Sequence, residues 1–124
     1  MVEPEDAWKS KAAYDLETAK AMLKARRFVY VLFCCQQAVE KHLKGMIAER
    51  QKTCPPRIHH LVRLAELTEI GVDDRQQAFL RELSSYYIQT RYPDEIAAMD
   101  VSRETAQEIL SQTEEFITWL QSTP

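Results

Sequence analysis

The chain has 124 residues, of which 45% are hydrophobic and 28% are charged, so it is long enough for one core and too short for two domains. Its formal net charge of −3 argues against indiscriminate binding of nucleic acid. The longest apolar run is shorter than the roughly 20 residues of a membrane span. Because Glu3, Glu5 and Asp6 stand where a signal peptide would need positive charge, we expect a single cytoplasmic domain, residues 1–124, with no membrane association.

The first helix is predicted to begin near Pro4, because proline is tolerated at the first position of a helix. It is expected to end around Arg26 and Arg27, where basic side chains suit a helix C-terminus. Its apolar residues recur at steps of three and four, which predicts one buried face. That face consists of Trp8, Ala12, Leu16, Ala19 and Leu23.

The second helix is predicted to run from Phe28 to residues 50–52 and to be the central helix of a bundle, since its first eight residues are uncharged and mostly apolar. Its predicted core positions are Leu32, Cys35, Val39, Leu43 and Met46. A neighbouring face carries the polar residues Gln36, Gln37, Glu40, Lys41 and Lys44. Two explanations remain open for this polar face, namely ordinary solvation and contact with a ligand or partner.

Three further helices follow. Pro55 and Pro56 end the second helix, and a short third helix is predicted over residues 60–70, with Gly71 as its C-terminal signal. Asp73 or Asp74 is expected to cap the fourth helix, with Gln76 or Gln77 three residues on. The apolar positions of the fourth helix are Phe79, Leu80, Leu83, Tyr86, Tyr87 and Thr90.

Pro93 is predicted to end the fourth helix, and a loop should extend to Met99. Asp100 or Ser102 then opens a fifth helix. Its predicted buried positions are Ala106, Ile109, Leu110, Thr113, Phe116, Ile117 and Leu120. The fold class is therefore all-α, an antiparallel up-and-down bundle of four longer helices and one short helix. The three cysteines are interpreted as small core residues kept reduced.

The order and spacing of several motifs resemble the HEPN domain family (higher eukaryotes and prokaryotes nucleotide-binding). The motifs are Trp8, Asp15 with Leu16, residues 36–44, His60 with Leu61, and Arg91-Tyr92-Pro93. The resemblance implies a helical bundle that forms a homodimer. It also implies one of two roles. Some members act with a minimal nucleotidyltransferase in a two-gene toxin–antitoxin-like module, and others are metal-independent ribonucleases.

The ribonucleases of that family are recognised by an Arg and a His with four to six residues between them. Here Arg91 is present, but positions 96–98 are Ile, Ala and Ala, and no His follows His60. Asp94 or Glu95 would be a weak base at neutral pH, since an exposed carboxylate has a pKa of about 4. We therefore assign no catalytic residue and do not expect the usual ribonuclease chemistry.

The candidate ligand-binding residues come from the central helix and from the end of the fourth helix. They are Arg91, Tyr92, Asp94, Tyr87, Gln37, Glu40, Lys41, Lys44 and His60. An arginine suits phosphate because its planar fork makes two hydrogen bonds at once. The alternatives are local: Arg91 pairs with Asp94, the tyrosines belong to the core, and His60 caps a helix. No metal site and no cofactor is predicted, because the histidines lack ligand spacing and no glycine-rich phosphate loop occurs.

The sequence therefore favours a dimeric module that binds nucleotide, RNA phosphate or a protein partner and acts with a small nucleotidyltransferase. The first alternative is a metal-independent endoribonuclease with a substituted general base. The second alternative is a purely structural helical dimer.

Overall fold

The computed structural model describes residues 4–89, 92 and 99–124. Within these ranges the chain forms five helices, so the predicted all-α bundle is confirmed, with four longer helices and one short one. They are α1 (Pro4–Lys24), α2 (Phe28–Gln51), α3 (Leu61–Thr68), α4 (Asp74–Gln89) and α5 (Arg103–Ser122). Over the same ranges, no helix combines the length and apolarity that crossing a bilayer requires.

The central position of α2 is confirmed, since it packs against all four of the other helices. All five of its predicted core residues are buried, with 4% or less of each exposed. Helix α1 lies against α2 through Ala12 and Ala19, whose small side chains let the two helices approach closely. The link between them is only three residues long, and Arg26 takes a left-handed conformation there (φ 61°).

Helix α3 is shorter than predicted, and the assignment of Gly71 as its C-terminal signal is wrong. The helix ends at Thr68, and Glu69 takes the left-handed conformation (φ 64°) while its N–H donates to the carbonyl of Glu66. At the other end, the side chain of His60 accepts a hydrogen bond from the N–H of Arg63. His60 is therefore the N-cap of α3.

The predicted caps of the last two helices are confirmed. Asp73 and Gln76 each accept a hydrogen bond from the other's backbone N–H, at 2.7 and 2.9 Å, which is a capping box at the start of α4. The hydroxyl of Ser102 accepts from the N–H of Thr105 and caps α5. All seven predicted positions of α5 are buried. The predicted end of α4 at Pro93 and the loop after it lie outside the described residues.

The prediction for the cysteines is right for Cys35 and wrong for Cys54. Cys35 is fully buried, Cys34 is half-buried, and Cys54 is exposed. Cys54 immediately precedes two prolines in the segment that leaves α2, where it has no helix face to join the core.

Candidate functional site

A pocket of about 350 Å³ lies where α1, α2, α4 and the segment before α3 meet. Its lining combines charged groups with aromatic rings. The lining residues are Trp8, Phe33, Gln37, Glu40, Lys41, Lys44, His59 and Tyr87, and we call this site the polar pocket.

The carboxylate of Glu40 lines the polar pocket, and only 3% of its side chain is exposed. Gln36 Nε2 donates to its Oε1 at 2.9 Å, and Lys44 Nζ donates to its Oε2 at 3.1 Å. His59 Nδ1 lies 3.1 and 3.0 Å from the two oxygens. Burial raises the pKa of Glu40, but the hydrogen bonds from Gln36, His59 and Lys44 together outweigh burial and hold the pKa below its usual value. Glu40 is therefore a buried, ionised carboxylate at neutral pH.

The imidazole of His59 is held from two sides. Its Nδ1 faces the carboxylate of Glu40, and its ring stacks on Tyr87 with centroids 4.2 Å apart and planes inclined by 17°. Contact with a carboxylate makes Nδ1 the protonated nitrogen. The side chain of His59 is 43% exposed, and its Nε2 makes no hydrogen bond to a described residue, so it can meet a group that enters the pocket.

Two lysine ammonium groups face the same space. Lys44 Nζ lies 5.6 Å from the centroid of the Trp8 ring, in addition to its bond with Glu40. Lys41 Nζ donates to Gln37 Oε1 at 2.7 Å and lies 3.7 Å from Asp15 Oδ2, a buried oxygen that accepts no hydrogen bond from any described residue. An ammonium group has three hydrogens, so each lysine can still donate to a ligand.

The structure brings five of the predicted candidate residues together: Gln37, Glu40, Lys41, Lys44 and Tyr87 all line the polar pocket. For the polar face of α2, ordinary solvation does not explain Gln36, Glu40 and Lys44, because all three are buried.

The other predicted candidates are placed elsewhere or are not described. His60 caps α3 and does not line the pocket, because its side chain turns towards its own helix. Tyr92 is 55% exposed. Arg91 and Asp94 lie outside the described residues.

Sequence reasoning missed His59, Trp8 and Phe33 as pocket residues. The apolar pattern places Trp8 on the buried face of α1 and Phe33 in the apolar start of α2, and neither position indicates a pocket. For His59 a signal existed, since two adjacent histidines follow the proline segment and only one of them can cap the next helix.

The chemistry of the pocket suits an anionic ligand with a flat ring. Its lining side chains include two lysines and one carboxylate, and the carboxylate is already satisfied by its own neighbours. A nucleobase can stack on an aromatic face, and ammonium groups donate hydrogen bonds to phosphate oxygens. Within the described ranges, no group of three His, Cys, Asp or Glu side chains is arranged to hold a metal ion.

Comparisons with known proteins agree with this architecture. The model of the HEPN domain matches residues 6–123 of the chain. The crystal structure of TT1696 from Thermus thermophilus is similar with a TM-score of 0.81 and 23% sequence identity, covering 97% of this chain and 98% of that one. At this identity the likeness concerns the fold. No curated protein matches the sequence.

Proposed function

The chain belongs to the HEPN domain family, and from this premise we propose that it is a binding module whose polar pocket takes the phosphate and the base of a nucleotide or of an RNA segment. One observation carries the proposal: two ammonium groups and two aromatic faces share one pocket of about 350 Å³. Phosphate and base are the two groups that such a lining would recognise together.

The phosphate would lie against Lys41 and Lys44. Lys41 and Lys44 donate hydrogen bonds of 2.7 and 3.1 Å to Gln37 and Glu40, which hold both ammonium groups in place before a ligand arrives. A fixed donor loses less side-chain freedom on binding than a free surface lysine, which favours affinity. Because the carboxylate of Glu40 receives three donors of its own, it opposes an incoming phosphate less than an unpaired carboxylate would.

The base would stack on the aromatic side of the pocket. Trp8 presents a ring on one wall, and the stacked pair of His59 and Tyr87 forms another. Stacking of a base on an aromatic side chain contributes roughly 1–3 kcal/mol and tolerates any base. The pocket would therefore select nucleotides over inorganic phosphate without strong selection among the four bases.

The family premise extends the proposal beyond the pocket. Arg91, Tyr92 and Asp94 follow α4 in the sequence, and we propose that Arg91 adds a second contact to the phosphate. We also propose a cytoplasmic homodimer that acts with a small nucleotidyltransferase, as in toxin–antitoxin modules. Pull-down from cells with a tagged chain, followed by mass spectrometry, tests the partner, and recovery of no nucleotidyltransferase would count against this role.

Calorimetric titration tests the binding. We expect 5′-AMP and a short oligoribonucleotide to bind more tightly than inorganic phosphate, and Lys41→Gln to weaken nucleotide binding severalfold. Lys24→Gln is the matched control, because Lys24 is an exposed lysine of α1 outside the pocket. If neither nucleotide binds, the proposal fails and the purely structural dimer remains. If Lys24→Gln weakens binding as much as Lys41→Gln, the attraction is general and the pocket is not the site.

The contact between His59 and Glu40 favours a second candidate function, a metal-independent endoribonuclease. A carboxylate that fixes the tautomer of an imidazole is a common arrangement for a general base. In such a reaction, His59 Nε2 would take the proton of a ribose 2′-hydroxyl. The 2′-oxygen would form a bond to the adjacent phosphorus at the same time. The bond from phosphorus to O5′ would break, and the departing O5′ would take a proton from the Lys41 ammonium. Exchange with water would then restore both groups.

Incubation with RNA in the presence of a chelator separates this candidate from simple binding. The products would be a 2′,3′-cyclic phosphate and a free 5′-hydroxyl, and we expect His59→Ala and Glu40→Gln each to reduce the rate. Arg91→Ala tests the family arginine in the same assay. An oligonucleotide with 2′-deoxyribose at every position serves as the uncleavable binding control. If wild type binds that control but leaves RNA intact, the second candidate is wrong and the binding module stands.

A further inference from the structure

A second, larger cleft of about 630 Å³ lies on another part of the bundle, where α1, the second half of α2 and the end of α5 meet. It shares no lining residue with the polar pocket. Its floor is apolar and includes Ala12, Leu16, Met46, Ile117 and Leu120. The volume is within the range of small-molecule sites, roughly 300–1,000 Å³.

His42 is a polar residue that lines this cleft. Only 5% of the residue is exposed, and no hydrogen bond joins its ring to any described residue. Burial lowers the pKa of His42 to about 4, with a smaller contribution from Lys9, so the ring is neutral and offers one donor and one acceptor.

The rim of the cleft is basic. Its described lining includes three basic side chains and one acidic side chain, Glu49, although the whole chain has a net charge of −3; the basic ones are Lys9, Arg50 and Lys52. Lys9 pairs with Glu49, and Arg50 donates to the carbonyl oxygens of Thr68 and Pro124.

Lys52 is the rim cation that stays available to a ligand. It is exposed, and it makes no ion pair with any described residue. It takes the left-handed conformation that caps α2 (φ 54°). A small anion is the group that an unpaired ammonium at the edge of an apolar cleft would attract.

We propose that this cleft is a binding site for a free organic anion with an apolar body, such as a medium-chain carboxylate. The hydrocarbon part would cover the floor beside the ring of His42, and the carboxylate would lie against Lys52 at the rim.

Titration with octanoate tests the proposal, with hexanoate, octanol and acetate as comparison probes. Octanoate should bind most tightly. Hexanoate lacks two methylenes and should bind about 15-fold more weakly, because each buried methylene contributes a factor of about four. Acetate lacks the apolar body and octanol lacks the charge, so both should bind more weakly than octanoate. Octanol that binds as tightly as octanoate would contradict the role of the basic rim.

Three variants locate the site. Lys52→Asn removes the charge at a left-handed position that asparagine tolerates, and it should weaken octanoate binding by about fivefold. Arg26→Asn is the matched control, since Arg26 is also an exposed basic residue in the left-handed region and lies outside the cleft. Ala13→Trp places a bulky ring on an exposed lining position and should block binding. If Lys52→Asn and Ala13→Trp bind octanoate as tightly as the control Arg26→Asn does, the assignment of the site is wrong.

The ring resonances of His42 give an independent readout by NMR. Octanoate should shift them in wild type and leave the ring resonances of His60 unchanged. Vesicles of phosphatidylglycerol distinguish a free anion from a membrane lipid, and the protein should stay in the supernatant. If the wild-type protein sediments with the vesicles and the Ala13→Trp variant does not, the ligand is a membrane lipid and the proposal of a free anion is wrong. Binding of octanoate without a shift at His42 would also contradict the proposal.

Discussion

Removal of the Glu40 carboxylate is the most direct perturbation of the polar pocket. Glu40→Ala leaves Lys44 buried without its counter-ion, since only 7% of the lysine side chain is exposed. Breaking one partner out of a buried ion pair costs about 3–5 kcal/mol. The side chain of His59 is 43% exposed, so water can replace its contact with Glu40. Loss of that contact therefore adds little to the change in the free energy of unfolding. We therefore expect Glu40→Ala to lower the free energy of unfolding by about 3 kcal/mol at pH 7.

Urea unfolding followed by circular dichroism measures this change. The double variant Glu40→Gln with Lys44→Met removes both charges and keeps an acceptor for Gln36, so its loss should be less than half that of Glu40→Ala. Glu66→Ala is the control for an exposed pair, because both side chains of the Arg63–Glu66 contact are more than half exposed. That control should change stability by no more than about 0.5 kcal/mol.

The stability cost of Glu40→Ala should depend on pH, because the pKa of Glu40 is lowered in the folded chain. The contribution of Glu40 to the free energy of unfolding is complete above the usual carboxyl pKa of about 4.5. It is lost as the pH falls through the lower pKa that Glu40 has in the folded chain. The cost of Glu40→Ala should therefore shrink below that pH. A loss below about 1 kcal/mol at pH 7, or a double variant as unstable as Glu40→Ala, would refute the claim that the carboxylate holds the pocket together.

Three further predictions concern single groups. Because the folded pKa of His42 is about 4 against 6.5 in the unfolded chain, the free energy of unfolding should fall by up to about 3 kcal/mol as the pH falls from 6.5 to 4. His42→Gln should flatten that slope, and an unchanged slope would contradict the assignment. Asp73→Ala removes the cap of α4 and should cost about 0.5–2 kcal/mol in urea unfolding, whereas an unchanged midpoint would contradict it. A thiol reagent should modify Cys54 quickly and Cys35 only after unfolding, since burial raises the pKa of the Cys35 thiol to about 12; rapid loss of Cys35 in the folded chain, measured by mass spectrometry, would contradict its burial.

The helices were predictable because their sequences repeat apolar residues at the helical period. In α5 the period selects seven positions, and all seven are buried. The end of α3 was not predictable in the same way. Glycine is the usual left-handed residue after a helix, but here Glu69 takes that role three residues after Glu66, before Gly71 is reached. Backbone hydrogen bonds of the last turn decided the position, and sequence pattern does not report them.

The site was partly predictable for a different reason. The spacing of Glu40 and Lys44 predicts a pair one turn apart on one face, and the structure shows that pair. Its burial under the segment before α3 depends on tertiary packing, which spacing alone does not contain. The choice between His59 and His60 likewise depends on backbone direction, because the residue that caps α3 turns back towards Arg63 and leaves its neighbour to meet Glu40.

Fluorescence from Trp8 tests the central claim most directly, because Trp8 lines the polar pocket. The other tryptophan, Trp119, packs against Phe116, so Trp119→Phe leaves a single reporter in the pocket. Titration of this variant with 5′-AMP should quench the emission of Trp8 to saturation, and adding Lys41→Gln should shift the curve to higher concentration. Nucleotide binding that calorimetry detects while the emission of Trp8 stays constant would contradict the assignment of the ligand to this pocket.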